Sequence, residues 1–366
     1  MYFLQNTELN MEHNNQKNEL YECNEVRNRH AWSRSCRRTT RSFFDENDKA
    51  YIILVDAGNY CNGETIAKFV KERYNTFQID LAICTHCDDD HFGGFIFLLE
   101  DMKNNPQTSV DIKKILINDP GLHITQNDVK YYQNLDNVRK EARSVYDGHG
   151  NNLLELIWDL SRKRRLSYSE AFSDGYNSEF DGLIDILGPS TEYYRTQALL
   201  FRNDLQPYDY AIVDDSEDAY EIPETKNIYS KKLDEAGNDP SHHNKSSIIF
   251  LFKPDDEHYF LFTGDADEDS FSNFKYQCDV DKIKNIYWMK IPHHGSAHNM
   301  SNNMINHIRP SIAYVSTEKY GHYLDKSVVG ALKKIGTSIY STKNSVNIWH
   351  HHNTPDREDY FPVETL

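Results

Sequence analysis

One short segment, LAICTHCDDDHFGGF at residues 81–95, constrains the fold of this chain more than any other. A run of apolar residues leads into Thr85 and His86, three consecutive acids follow, and His91 and two glycines come next. Carboxylates crowded this closely repel one another unless a cation lies among them. A strand that only had to be buried would not end in this way. The segment therefore predicts a metal-binding loop between a buried strand and a helix.

Within this loop, His86, Asp88, Asp90 and His91 stand at positions 1, 3, 5 and 6 of a hexad. Because extended backbone alternates its side chains, the first two converge on one point, and Asp90 and His91 on a second point nearby. Imidazole and carboxylate groups at two adjacent points suit two metal ions. We expect the glycines at 93–94 to let the backbone turn tightly before the helix begins. The alternative is an acidic loop with incidental histidines.

Further candidate ligands follow other short apolar strands. TGD ends one strand with Asp265, and PHHGS ends the next with His293 and His294. YGHY places His322 on the loop after another strand. Each motif alone is weak evidence for a metal site, but the motifs together and in this order are specific evidence for one. An aspartate such as Asp265 can bridge two metals through both of its oxygens.

The organisation of the chain predicts a layered α/β domain, because apolar strands and helical segments alternate from Tyr51 onward. We assign residues 43–366 to this domain, with a long helical and acidic insertion at about 120–243. Residues 1–42 show little periodicity and end in an arginine-rich run, so we expect an atypical, loosely attached N-terminal segment. The alternatives are a basic arm that contacts phosphate and a strand that the pattern does not show.

Composition limits the functions that the chain can have. The formal net charge of −17 disfavours broad, sequence-independent capture of duplex nucleic acid, although a local basic cleft would escape that limit. The six cysteines lack the spacing of a disulfide framework, which favours a reduced, cytoplasmic setting. No apolar run has the length of a membrane span, and the polar start is unlike a signal peptide. We expect no membrane partner.

At these motifs the chain resembles the metallo-β-lactamase superfamily, most closely the hydrolase domain of competence (DNA-uptake) proteins. The resemblance runs in order over residues 51–349 and rests on DAG (56–58), THCDDDHFGG (85–94), Asn-x-x-Ser (244–247), TGD, PHHGS and Gly-His (321–322). It implies an αββα four-layer sandwich with two divalent metal ions, zinc or manganese, at one edge of its sheets. Asp88 replaces the second histidine of the commoner H-x-H-x-D-H form, which makes the site harder and manganese more plausible.

The resulting set of predicted metal ligands is His86, Asp88, Asp90, His91, Asp265, His293, His294 and His322. We expect Asp90 or Asp265 to orient the attacking hydroxide, and His294 or its neighbour in PHHGS to act as the general acid. Which of these two histidines is a ligand stays open.

Three features depart from the resemblance. Cys87 fills a position often held by proline or alanine, and we expect a passenger thiol, with a ligand or an oxidation-sensitive group as the alternatives. The glycine-rich first strand of relatives has no counterpart in residues 1–42, and the membrane channel of the competence protein is absent. The runs at 242–243 and 350–352 are interpreted as surface histidines.

The first functional hypothesis is a dinuclear phosphodiesterase or nuclease that acts on nucleic acid or a nucleotide, as an auxiliary component of bacterial defence. The second is a hydrolase of a lactone, thioester or other carbonyl compound. The third is a metal-bound interaction module of a larger complex. A partner protein would then bind through residues 100–243.

Overall fold

The structure of the chain is a computed structural model that describes residues 2–6, 20–25, 51–130, 133–175, 178–201, 233–274, 277–316, 324–341 and 348–351. The arginine-rich run at 27–41 and the predicted ligand His322 lie outside these residues.

The described strands are β1 (Tyr2–Asn6), β2 (Leu20–Glu25), β3 (Ile52–Val55), β4 (Gln78–Ile79), β5 (Leu81–Ile83), β6 (Asp111–Ile112), β7 (Lys114–Leu116), β8 (Asp147–Gly148), β9 (Asn151–Asn152), β10 (Ser167–Ser169), β11 (Ser178–Glu179), β12 (Ile184–Gly188), β13 (Ile249–Phe252), β14 (Phe260–Phe262), β15 (Trp288–Lys290), β16 (Ile312–Val315), β17 (Ser338–Ser341) and β18 (Ile348–His351). The described α-helices are α1 (Tyr60–Arg73), α2 (Asp89–Asn104), α3 (Leu135–Arg143), α4 (Leu153–Arg162), α5 (Thr191–Ala198), α6 (His242–Lys245), α7 (Glu268–Ser272), α8 (Gln277–Lys282), α9 (Asn302–Ile308) and α10 (Lys326–Lys334).

Two large sheets organise the described part of the chain. The first has the order β10-β7-β5-β3-β1-β2-β18, and only its β1–β2 pair is antiparallel among the described pairings. The second has the order β11-β12-β13-β14-β15-β16-β17, with an antiparallel half up to β14 and a parallel half beyond it. Two short pairs, β4–β6 and β8–β9, stand apart from these sheets.

Side-chain alternation along the strands shows how the layers stack. In β13, Phe250 and Phe252 enter a core that also contains Ile53 and Val55 of β3, so the two sheets face each other. Ile249 and Leu251 of β13 point to the opposite face, where α9 and α10 pack. The outer face of the first sheet is covered by α1, α2 and α4. Every residue of β3, β5, β13, β14 and β15 is buried, which is why these strands are almost continuously apolar in sequence. The predicted αββα sandwich is confirmed.

The N-terminal segment differs from the expectation of a loosely attached one. β1 pairs in parallel with β3, from Tyr2 opposite Ile52 to Gln5 opposite Val55, and β2 lies on its other side. Both strands fall within residues 1–42, which corresponds to the alternative of a strand that the sequence pattern does not show. A sheet edge beside β3 needs a partner for its backbone groups, and a strand of weak periodicity can supply one.

The start of α2 also differs from expectation, because the helix begins at Asp89 and the two glycines lie inside it. Gly94 packs so closely against the DAG turn that a Cβ there would lie 2.1 Å from the carbonyl oxygen of Ala57. The amide of Gly94 donates to the carbonyl oxygen of Gly58 at 2.7 Å. The glycines therefore allow α2 to contact the end of β3, and the turn that precedes the helix does not depend on them.

The region predicted as an insertion contributes to the core in part. Leu153, Leu156 and Leu160 of α4 are buried in the cluster outside the first sheet. β10 adds a strand to that sheet beside β7. In the described residues, no helix is both long enough and apolar enough to cross a membrane.

Candidate metal centre

The candidate site lies where strands of both sheets end. The DAG turn follows β3, the hexad follows β5, TGD follows β14, and PHHGS follows β15. The carboxyl ends of parallel strands meet at one edge of a sheet, so residues distant in sequence come together there. Two groups of potential ligands result, His86 with His91 and Asp265, and Asp90 with His91 and His294. Within each group the ligand atoms lie within 4.8 Å of one another.

Asp56 of the DAG turn holds this loop in place, although sequence patterns predicted no role for it beyond its motif. It is fully buried, and its Oδ1 accepts from the backbone N–H of Thr85 at 2.8 Å. Its Oδ2 accepts from the Thr85 hydroxyl at 2.8 Å and lies 2.8 Å from His91 Nδ1. A carboxylate has no proton to donate, so His91 carries a proton on Nδ1 and presents Nε2 to the site.

His86 receives the same orientation through Thr85. The hydroxyl proton of Thr85 is used by Asp56, so the Thr85 oxygen accepts from His86 Nδ1, which is 3.0 Å away. The Nε2 atom of His86 then carries no proton, and its lone pair points into the protein interior. It is buried and has no hydrogen-bond partner among the described residues. Asp88 Oδ2 lies 3.5 Å from it. A buried nitrogen of this kind is costly unless something binds it.

His294 completes the pattern from the other sheet. Its Nδ1 lies 2.9 Å from the carbonyl oxygen of Ser316, which can only accept, so Nδ1 is protonated. The Nε2 of His294 faces Asp90 Oδ2 at 3.7 Å. The Nε2 of His91 faces Asp90 Oδ2 at 3.5 Å and Asp265 Oδ2 at 3.4 Å. Lone pairs and carboxylates that face each other at these distances need a cation between them.

The charged groups around His91 are also consistent with a bound cation. Burial alone would lower the pKa of His91, but the carboxylates of Asp265, Asp90 and Asp56 raise it well above its ordinary value. A proton on Nε2 is therefore one way for the site to neutralise its carboxylates, and a divalent cation is the other. The donor chemistry, three imidazole nitrogens with carboxylate oxygens, fits zinc or manganese. The residues present thus fit the metal ions that the sequence predicts.

Asp265 is oriented by a buried lysine. Its Oδ1 accepts from Lys290 Nζ at 3.0 Å and from the backbone N–H of His293 at 3.2 Å. Burial would raise the pKa of Asp265, but Lys290 and His91 hold it well below its usual range. Gly264 has φ of 51°, and a Cβ there would lie 2.8 Å from Ser247. Oδ1 thus accepts from these two donors, and Oδ2 faces His91 Nε2 in the site.

The two histidines of PHHGS point to different partners. His293 Nδ1 lies 3.0 Å from Asp239 Oδ2 and 2.9 Å from Asn299 Oδ1, whereas His294 joins Asp90 and His91. Burial would lower the pKa of His293, but its hydrogen bond with Asp239 raises it to about 9. Both histidines have positive φ, 41° and 52°, which is uncommon for residues other than glycine. Among the described groups of potential ligands, His293 occurs in none.

A third group was missed by the sequence analysis. His243 Nδ1 lies 2.7 Å from Asp88 Oδ1, and the sulfur of Cys87 belongs to the same group. Burial would lower the pKa of His243, but Cys87 and Asp88 raise it to about 11. Burial raises the pKa of the Cys87 thiol. The interpretation of His243 as a surface histidine was wrong, because α6 folds back onto the metal loop.

Comparisons with known proteins gave one family match and a similar solved structure. The family model described as "Metallo-beta-lactamase superfamily" matches residues 42–189, which include the hexad. Members of this superfamily are generally metal-dependent hydrolases. No curated protein matches the chain. Among solved structures, the metallo-beta-lactamase fold protein YhfI from Bacillus subtilis is similar, with 10% identity, a TM-score of 0.39, and coverage of 80% of this chain and 84% of that chain. The narrower resemblance to competence proteins stays a prediction.

Proposed function

We propose that the protein is a dinuclear metal-dependent hydrolase that cleaves phosphodiester bonds in nucleic acid or a nucleotide. One observation carries the proposal: Nδ1 donates a hydrogen bond in His86, His91 and His294, which leaves their Nε2 atoms directed into a site that also contains Asp90 and Asp265. Without a cation or a proton between them, the lone pairs of these imidazoles would face the carboxylate oxygens of Asp90 and Asp265.

The chain offers separate ligands for two ions. His86, Asp88 and the Oδ2 atom of Asp265 would hold one ion, and Asp90, His91 and His294 would hold the other. When bound, such a pair supplies hydroxide from water and neutralises charge on the substrate's oxygens. The carboxylate at position 88 favours manganese over zinc, because it makes the donor set harder. Whether His322 joins either set depends on residues outside the described ones.

Side chains of the protein would orient the attacking water and supply a proton to the leaving group. Asp90 has a side chain that is 21% exposed, so it can accept a hydrogen bond from an attacking water. Asp239 fixes the imidazole of His293 by its Nδ1, which places His293 to give a proton to the leaving oxygen. We therefore propose that His293 is the general acid and that His294 is a metal ligand.

The substrate class follows from charge and donor hardness. Phosphate oxygens suit paired hard cations, and leaving alkoxides need the proton that a held imidazole can supply. The net charge of −17 repels long polyanions, so we propose a cyclic or short nucleotide, or a single strand that enters a small cleft. We place this activity in the cytoplasm, in an auxiliary component of bacterial defence, with residues 100–243 as the surface for any partner protein.

The test is an assay of purified protein with manganese or zinc against a chromogenic phosphodiester, a short single strand, a plasmid and a lactone. We expect turnover of the first two substrates and its loss in Asp90→Asn. Asp89→Asn is the matched control, because Asp89 is the adjacent carboxylate and is in none of the described ligand groups. Turnover of the lactone alone would favour the carbonyl alternative. No turnover, together with stable co-purification of a second protein, would favour the interaction module.

A further inference from the structure

A cavity beside α4 contains none of the candidate metal ligands and has no part in the proposed function. It has a volume of about 360 Å³ and is formed by the loop after β7, by α3, by α4 and by β10. Its walls combine aromatic and charged side chains, which include Trp158, Tyr168, Leu122, Arg143, Arg162 and Asp119. Small-molecule sites in proteins have volumes in this range and combine apolar walls with a few polar groups.

Two aromatic side chains offer flat surfaces to this cavity. Tyr168 of β10 is 42% exposed, and among the described residues it is one of three large hydrophobic side chains that are exposed. Leu122, on another wall of the same cavity, is a second one. Trp158 is half-buried and packs against the core cluster outside the first sheet. Aromatic rings that are anchored by the fold and still reach solvent are suited to stacking with a planar ligand.

Arg143 is held in a fixed position at this cavity. Its Nε donates to both oxygens of Asp119, at 2.8 and 3.0 Å, and its guanidinium lies over the ring of Trp158, 5.1 Å from the centroid. A Cβ at Gly121 would lie 2.6 Å from Arg143 Cζ, so any other residue there would displace the guanidinium. Nε carries only one of the five N–H groups of an arginine, and the Nη groups make no hydrogen bond with the described residues. An arginine oriented in this way is suited to bind phosphate.

Positive charge is in local excess on α4. Arg162 is 75% exposed, and its ion-pair partner Asp159 lies 3.9 Å away. The carboxylate of Asp159 also contacts Lys103 at 3.2 Å and Lys163 at 2.9 Å, so three cations share one anion. Trp158 and Arg162 are four residues apart and therefore lie on the same face of α4. A planar surface and an uncompensated positive charge thus stand side by side, in a chain whose formal net charge is −17.

We propose that this cavity binds a nucleobase together with its phosphate. The base stacks on Trp158 and Tyr168, and the phosphate binds Arg162 and the Nη groups of Arg143. A free mononucleotide and a unit of a single-stranded nucleic acid both present this chemistry. The binding requires neither a metal ion nor hydrolysis, so this inference goes beyond the proposed function.

A larger cavity adjoins this one and extends towards the metal loop. It has a volume of about 920 Å³, shares Trp158 and Arg162 with the smaller cavity, and is lined elsewhere by the β8–β9 hairpin. A Cβ at Gly148 of this hairpin would lie 3.3 Å from Asp89 Oδ1, so the hairpin contacts the start of α2. A single strand bound at the smaller cavity can therefore continue along α4 towards the candidate metal centre, whereas a mononucleotide would occupy the smaller cavity alone.

The test measures binding to the full-length protein in the presence of a chelator, because bound metal ions would themselves attract phosphate. The probes are adenosine 5′-monophosphate, measured by calorimetry, and a fluorescein-labelled single strand of about eight deoxyadenosine units, measured by anisotropy. Adenosine and ribose 5-phosphate each lack one half of the mononucleotide. We expect the mononucleotide to bind at least about tenfold more tightly than either half, because the site uses both stacking and a phosphate contact. Circular dichroism checks that the protein stays folded.

Two variants alter exposed side chains of the cavity. Tyr168→Ala should weaken binding of the mononucleotide about fivefold to hundredfold, the range for loss of a stacked base. Arg162→Gln should weaken binding of both probes and reduce the slope of log Kd against log salt for the single strand by about 0.7, the contribution of one phosphate contact.

The matched controls change side chains that line neither cavity. Phe77→Ala removes an aromatic ring that is 58% exposed, and Lys68→Gln removes a cation that is 70% exposed. Both control variants should bind the two probes as tightly as the wild type.

The two probes distinguish the sources of the ligand. Similar affinity for both would identify a site for free mononucleotides, and binding of the single strand at least about tenfold more tightly would identify a site for a nucleic-acid strand. Three results would overturn the proposal: binding of neither probe, binding that both cavity variants leave unchanged, and equal affinity for ribose 5-phosphate and the mononucleotide, which would mean a site for anions only.

The proposed function is tested separately, by turnover of the chromogenic phosphodiester by the metal-loaded wild type. Nucleotide binding without turnover would refute the proposed function alone, and turnover without nucleotide binding at this cavity would refute the present proposal alone.

Discussion

Replacement of Asp56 by asparagine tests whether this buried carboxylate sets the direction of the metal-binding nitrogens. In the native protein, Asp56 accepts hydrogen bonds from the Thr85 amide, the Thr85 hydroxyl and His91 Nδ1. An asparagine can keep the first bond with its oxygen, but its NH2 group then faces Thr85 Oγ1 and His91 Nδ1. Both of these atoms must become acceptors. The backbone tolerates the change, because Asp56 has φ of 52°, a conformation that asparagine adopts readily.

The expected effect is a change of tautomer in two histidines. With Nδ1 as an acceptor, His91 carries its proton on Nε2, and that nitrogen no longer offers a lone pair. Thr85, now accepting from the asparagine, can donate to His86 Nδ1, which moves the proton of His86 to Nε2 in the same way. Metal binding must reverse these shifts and leave a buried donor facing a donor, at a cost of about 1–3 kcal/mol. This corresponds to a roughly tenfold to hundredfold loss of metal affinity, the range found when partners of metal-bound histidines are removed.

The measurement is calorimetric titration of metal-free Asp56→Asn with manganese and zinc, together with its thermal unfolding. The metal-free variant should unfold within about 0.5 kcal/mol of the wild type, because all of its hydrogen bonds can be remade. Asp80→Asn is the matched control, since Asp80 is a half-buried carboxylate that accepts from the Ile52 amide at 2.9 Å, at the other end of β3. Metal affinity within twofold of the wild type would refute the tautomer argument. A large loss of stability without metal would show that Asp56 is mainly structural.

Three further expectations concern the site and the first sheet. Asp90→Ala should abolish turnover without unfolding the protein, whereas Asp89→Ala should keep its turnover. Activity and circular dichroism measure the two effects, and equal activity in both variants would show that the hexad is not the active site. Removal of metal with a chelator should lower the thermal midpoint, because Asp90 and Asp265 lose their cation, and an unchanged midpoint would argue against bound metal. Deletion of residues 1–40 removes β1 and β2 and the pairing of β1 with β3, so we expect a loss of about 2–4 kcal/mol or insolubility, in place of the unchanged midpoint that a loose segment implies.

The sandwich could be predicted from sequence because its strands are strongly apolar. IIFLF and YFLFTG form the antiparallel pair β13–β14, as their turn indicates, and the strand that precedes the hexad is β5. β1 could not be found in this way. It is short, it follows no clear alternation, and its position is set by parallel pairing with β3, some fifty residues later in the chain. Sequence periodicity indicates which side chains are buried. The position of β1 depends instead on backbone pairing with β3, which is distant in sequence.

The candidate site, too, could be predicted only in part from the sequence. Ligand types at strand ends were predictable, because the ends of parallel strands meet at one edge and the motifs occur in order. The separation of His293 from His294 was not, since it depends on two consecutive residues with positive φ, which no local pattern indicates. His243 was missed for another reason: a histidine in a polar run, 155 residues from Asp88, has no signal until the chain folds back.

The direction of each imidazole is the feature that sequence reasoning cannot reach. A motif fixes which residues approach the site, but the metal-binding nitrogen is chosen by the partner of the other nitrogen. Here those partners are Asp56 for His91, Thr85 for His86 and the carbonyl oxygen of Ser316 for His294. They come from the ends of three different strands, β3, β5 and β16. These three partners each leave the Nε2 atom of their histidine facing the site. Separate parts of the fold thus produce the same orientation, which is a stronger indication of a cation site than the proximity of acids and histidines alone.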